Sequence, residues 1–168
     1  MAGARRLPFD PVVEARRQWV DHGWSEAADG MAAITSLMRA QQIVSARVEE
    51  ALRPYALTFA RYEVLMLLLL SRRGSLPMGR IGERLQVHPA SVTNAVDRLE
   101  GQDLVRRTPH PTDRRATLVE ITDDGRAVAV KATGDLNERV FARPGLAPDG
   151  VDRLVAVLTE LRAAAGDF

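Results

Sequence analysis

Apolar residues recur mostly every three or four positions along the chain, and alternating apolar and polar residues are confined to one stretch, so the pattern predicts a mainly helical protein. Pro8 and Pro11 mark a loose arm, followed by a basic helical segment from Val12 to Trp24, and Gly23 and Gly30 bracket a break. From Met31, residues Ile34, Leu37, Met38, Val48 and Leu52 form one stripe with Arg39, Gln42, Arg47 and Glu50 off it, which predicts a long amphipathic helix ending before Pro54. Tyr62 to Leu70 is apolar on all sides, as expected of a helix packed between others. Arg72, Arg73 and Gly74 stop it, and Leu76-Pro77 opens a short helix with Met78, Ile81 and Leu85 on its inner face.

Pro89 suits the first turn of the next helix, where its missing N–H is not needed, and Val92, Ala95, Val96 and Leu99 make its apolar stripe. Ser91, Asn94 and Arg98 then share another face. Residues 104–108 and 116–121 are the strand-like runs, and the prolines and aspartate between them predict a rigid turn in a two-stranded antiparallel ribbon. Thr122 is placed to cap a helix running to about Phe141, although Gly125 stands where a capping box would have Glu. After a turn over 145–150, Val151, Leu154, Val155, Leu158 and Leu161 form a closing amphipathic stripe.

At 168 residues, with 46% hydrophobic and 27% charged side chains, the chain has the composition of one globular domain with extensions, and no run is apolar enough to cross a membrane. It contains no cysteine, which excludes disulfides, thiol chemistry and cysteine-ligated metals. His22, His88 and His110 lack metal-ligand spacing, and His88 with Ser91 has no oxyanion motif beside it, so neither a metal centre nor an enzyme is expected. The N-terminal arginines precede no apolar signal segment, so a cytoplasmic location is expected.

The net charge of +1 conceals an asymmetry: residues 72–115 carry nine arginines against five acids, and the rest of the chain sums to −3. This basic block coincides with a short helix, a tight turn, a second helix exposing small polar side chains, and the ribbon. That is the helix-turn-helix device for entering a DNA major groove. Ser91, Thr93 and Asn94 suit base edges and phosphates, and the helix N-terminus at His88 and Pro89 favours phosphate. Arg98 has three readings: a base contact, a phosphate contact, or an ion pair with Asp97 or Glu100. Arg114 at the ribbon tip suits a flanking minor groove, with Asp113 orienting Arg115 beside it.

The stretch MGRIGERLQVHPASVTNAVDRLEGQDLVRRTPHPTDRRATLVEITDDGR resembles the winged helix-turn-helix core of the MarR family of bacterial transcriptional regulators, most specifically in VTNAVDRLE, LVRR and PTDRRATLVEIT. The resemblance covers about residues 31–165. It implies a mainly α winged-helix fold (α+β). Its regions are an N-terminal arm and extra helix (1–30), a winged helix-turn-helix domain (58–121) and a helical dimerisation region (31–57 with 122–168). It also implies a homodimeric repressor on a palindromic operator in double-stranded DNA, released by a small aromatic ligand, with no cofactor. Carried over by position, His88, Pro89, Ser91, Thr93, Asn94 and Arg98 lie on the recognition helix and Arg114 and Arg115 on the wing. Two departures are His88 in place of a common Ser cap and Gln86 in place of a common turn Gly. A weaker similarity, to urate-responsive members, places a purine-like ligand near Trp19, Glu63, where those members have Asp, and Arg106, which is common in the family whatever the ligand; separately, ligand control implies a pocket between the dimer helices and the winged domain, to which residues 55–70, with Tyr62 and Glu63, contribute. The plainer reading of Trp19 and Trp24 is as packing anchors of the extra helix. A winged-helix protein-assembly module and a non-specific architectural DNA binder are the alternatives in function.

Overall fold

A computed structural model of the chain describes residues 7–112 and 116–168. The chain divides into two compact units, Met1–Ala46 and Arg47–Phe168.

In the first unit, helix α1 spans Pro11–Asp21. The Asp10 carboxylate accepts from the Val12 amide at 2.8 Å, and Pro11 occupies the first turn at no cost in hydrogen bonds. Gly23, at φ 84°, turns the chain into helix α2, Ser25–Leu52. The expected break ends there, because Gly30 lies inside α2: a lone glycine costs a helix only about 1 kcal/mol, which the flanking turns absorb. The Trp19 and Trp24 rings meet edge to face at 5.3 Å, and Arg16 pairs with Asp29 at 2.5 Å. Trp19 is half-buried and Trp24 exposed, so only the first has the burial of an anchor.

The second unit begins with the last turns of α2, a 3-10 turn at Arg53–Tyr55, and Ala56 in the left-handed conformation. Helix α3, Phe59–Leu69, buries Tyr62, Val64, Leu65 and Leu68 and packs against α4 (Met78–Leu85), α5 (Pro89–Glu100) and α6 (Asp123–Leu136), as its all-round apolar sequence requires. The sheet has three strands instead of the expected two. Strands β1 (Ser75–Pro77), β2 (Val105–Pro109) and β3 (Thr117–Ile121) are antiparallel in the order β1-β3-β2. Three residues ending in proline carry no alternation to read, and Pro77 is tolerated because β1 is an edge strand.

Thr122 caps α6 as expected: its hydroxyl accepts from the Gly125 amide at 2.9 Å and donates to the Asp103 carbonyl at 2.8 Å. Gly125 is required by close approach, since a Cβ there would sit 2.0 Å from the Leu104 carbonyl oxygen. The α-helix ends at Leu136 and continues as a π-helical segment, Asn137–Phe141, whose end is held by Arg47 donating to the Arg139 and Arg143 carbonyls at 3.1 and 2.6 Å. Helix α7, Pro148–Ala164, buries none of its residues; Leu154, Val155, Val157 and Leu161 are 46–61% exposed. Among the described residues, no helix is long and apolar enough to cross a membrane, and no cluster of three or more His, Asp or Glu could hold a metal ion.

Candidate nucleic-acid interface

Helix α5 divides cleanly into two sides. Val92, Ala95, Val96 and Leu99 are buried against α3 and α4, while Ser91, Thr93, Asn94 and Arg98 are exposed. The helix starts on an unusual cap: His88 Nδ1 accepts from the Ala90 amide at 3.2 Å, doing the work of the expected serine oxygen. That acceptor role leaves the proton of the neutral ring on Nε2, a donor at the positive end of the helix dipole. Gln86 adopts the left-handed conformation itself (φ 53°) where a glycine was expected, and its side-chain amide donates to the Asp167 carbonyl.

Arg98 has no ion-pair partner among the described residues. Both neighbouring carboxylates are taken: Asp97 pairs with Arg107 at 2.5 Å, and Glu100 accepts from the Arg107 amide at 2.8 Å and from its guanidinium. This cluster ties the end of α5 to β2 and neutralises two acids beside the polar face of α5, so the ion-pair reading of Arg98 gives way. Thr93 donates its hydroxyl to the Pro89 carbonyl at 3.1 Å, which leaves only its oxygen lone pairs for a ligand. Ser91 and Asn94 line one groove of about 420 Å³ together with Thr58 and Arg61 at the start of α3. Neither Thr58 nor Arg61 was singled out from the sequence, because both lie outside the basic block.

The ribbon pairs Val105 with Ile121 through to Pro109 with Thr117, and the His110 amide donates to the Ala116 carbonyl at 3.2 Å, closing the hairpin toward its tip. Asp113, Arg114 and Arg115 lie outside the described residues.

The four ligand candidates are differently placed. Trp19 lines an apolar groove made of α1 and α2 residues alone, with Ala27, Met31 and Ile34. Tyr62 is buried and its hydroxyl meets the Thr133 hydroxyl at 3.0 Å. Glu63 is half-buried, with no hydrogen-bond or ion-pair partner among the described residues, and desolvation pushes its carboxyl above the ordinary 4.5. Arg106 stands directly across from Glu120 in the sheet and makes a two-pronged pair with it at 2.9 and 3.1 Å, which holds the Glu120 carboxyl below its usual range.

A helix-turn-helix followed by a β-ribbon is a winged-helix arrangement, and comparison with known proteins agrees. Residues 59–117 match the MarR family. The HTH-type transcriptional regulator MhqR of Bacillus subtilis is 32% identical over 124 residues, 74% of this chain and 77% of that protein. Among solved structures, Sco5413, a MarR family transcriptional regulator from Streptomyces coelicolor, is 51% identical and superposes with a TM-score of 0.75 over 83% of this chain and 97% of that one. The transcriptional repressor CouR, bound to a 23-mer DNA duplex, is 30% identical, with a TM-score of 0.69 over 75% of this chain and 89% of that one. The chain belongs to the MarR family of transcriptional regulators.

Proposed function

We propose that two copies of the chain bind a palindromic operator with their α5 helices in successive major-groove faces about 34 Å apart, and repress transcription there. The observation that carries this reading is the exposed polar face of α5, with Arg98 unpaired among the described residues because Arg107 holds both neighbouring carboxylates. Ser91 and Asn94 address base edges, Arg98 a base or phosphate, and His88, Pro89 and Thr93 bring the helix N-terminus close to the backbone. Arg114, carried by the turn of the ribbon, is the side chain for the adjacent minor groove. The second copy covers the exposed apolar residues of α7, in keeping with a dimerisation role for residues 31–57 and 122–168. A small aromatic or purine-like effector, and no cofactor, regulates binding, and the half-buried Glu63 carboxyl is its polar anchor.

The test is selection of duplexes from a random-sequence pool by the full chain, followed by titration of Asn94→Ala. Enrichment of an inverted repeat with half-site centres about 10 base pairs apart, and a loss of about tenfold or more for Asn94→Ala on that repeat alone, are the expected results. A pool that stays random would leave an architectural binder or an assembly module.

A further inference from the structure

We propose that Arg61, at the first turn of α3, is a second anchor on DNA and grips a backbone phosphate where the α3–α5 groove opens beside Ser91 and Asn94. The inference rests on α5 being the reading helix and deepens it by naming a contact outside the helix-turn-helix.

Three observations carry it. The Arg61 side chain is held in place from one side only: Nη1 donates to the Ala56 carbonyl at 3.0 Å and Nε to the Thr58 hydroxyl at 3.2 Å. The Nη2 donors are left over, and no carboxylate pairs with this guanidinium among the described residues, whereas Arg80, Arg106 and Arg107 are each neutralised by an acid. A pre-set planar fork with spare donors loses little freedom when it takes an anionic oxygen. Next, Arg61 shares its groove with Ser91 and Asn94, and the residues between them, Ala60, Ala90 and Ala95, are too small to fill it. When a recognition helix lies in the major groove, the groups beside it on a neighbouring helix meet the sugar-phosphate wall, where most protein–DNA hydrogen bonds are made. Finally, Arg61 sits in the first turn of α3, where the helix N-terminus adds positive potential beside the guanidinium, and its amide meets the Thr58 hydroxyl only at a long 3.4 Å.

The competing account is that Arg61 merely closes the left-handed corner at Ala56. Gln102 also donates to that carbonyl, at 3.5 Å, so the corner keeps a partner when Arg61 is replaced.

The experiment uses the full chain, the duplex selected from the random pool, and a scrambled duplex of the same composition, titrated across a range of salt. Arg61→Gln is expected to weaken both duplexes by the same factor and to flatten the slope of log affinity against log salt by about 1.8 per dimer, at 0.9 per phosphate lost. Raising salt fourfold then weakens the variant about tenfold less than the parent. Arg61→Lys, which keeps the charge, retains the parental slope. Ala60→Glu sets a carboxylate beside Arg61 at an exposed position without touching the Ala56 corner, and is expected to flatten the slope in the same way even if Arg61→Gln folds poorly. Parental slopes in folded Arg61→Gln or in Ala60→Glu overturn the proposal. Asn94→Ala, run alongside, reports on the reading helix separately: it changes the preference for selected over scrambled DNA and leaves the slope alone.

Discussion

At the scale of single residues, Glu63 and Gly125 carry the sharpest expectations. Burial raises the Glu63 carboxyl, so the fold prefers it protonated. The stability this contributes is present below its ordinary value of 4.5 and is lost as pH rises through the higher folded value. Glu63→Gln is therefore expected to melt at a slightly higher temperature than the parent at pH 7, and at the same temperature near pH 4; a thermal melt at each pH decides it. Gly125 is fixed by the Leu104 carbonyl, which sits where any side chain would begin. Gly125→Ala should cost about 3 kcal/mol in denaturant unfolding, from overpacking at a junction of backbone with backbone. The glycine in place of a capping-box glutamate is legible only in this light: the sequence pattern identifies Thr122 as the cap, but a tertiary contact 21 positions away decides what can follow it.

Elements with long periodic stripes were readable from the chain, and those defined by neighbours were not. α3 and α5 reveal themselves by Tyr62–Leu70 and by the Val92–Leu99 stripe, because one helix face or all of it must be dry. β1 exists only because β3 offers it a partner, and the π-helical continuation of α6 depends on Arg47, far away in sequence, reaching its carbonyls. The site follows the same division. Exposed polar residues on α5 follow from helical spacing, but the freedom of Arg98 follows from Arg107, which belongs to a different element. Arg107→Met tests that dependence. It releases Asp97 and Glu100 beside the polar face of α5 and uncouples α5 from β2, and, with α5 as the proposed reading helix, is expected to lower operator affinity about tenfold or more while making the far end of α3 no less protected in hydrogen exchange. Unchanged affinity would mean that the cluster is only a surface ornament of the ribbon.

For the molecule as a whole, the apolar side chains that stay uncovered in one chain are the part of the sequence pattern that a single copy does not explain. Leu154, Val155, Val157 and Leu161 follow helical spacing as if for a core, yet α7 buries nothing. A stripe of this kind costs solvation until another surface covers it, at about 25 cal/mol per Å² of apolar area. In the proposed function, two α5 helices joined in this way bind a palindrome with the second contact made intramolecular, so affinity for the whole operator is expected to exceed that for a half-site by about a hundredfold or more. The double change Leu154→Glu with Leu161→Glu breaks that linkage without touching α5, the Arg107 cluster or the α3–α5 groove. Sedimentation should then report the mass of one chain, near-ultraviolet circular dichroism should keep the signal of the packed second unit, and the affinity for the full operator should fall to that for the half-site. If the doubly substituted chain still sediments as a dimer, α7 is not the seam, and if it binds the full operator as tightly while monomeric, the spacing of two helices is not what reads the DNA.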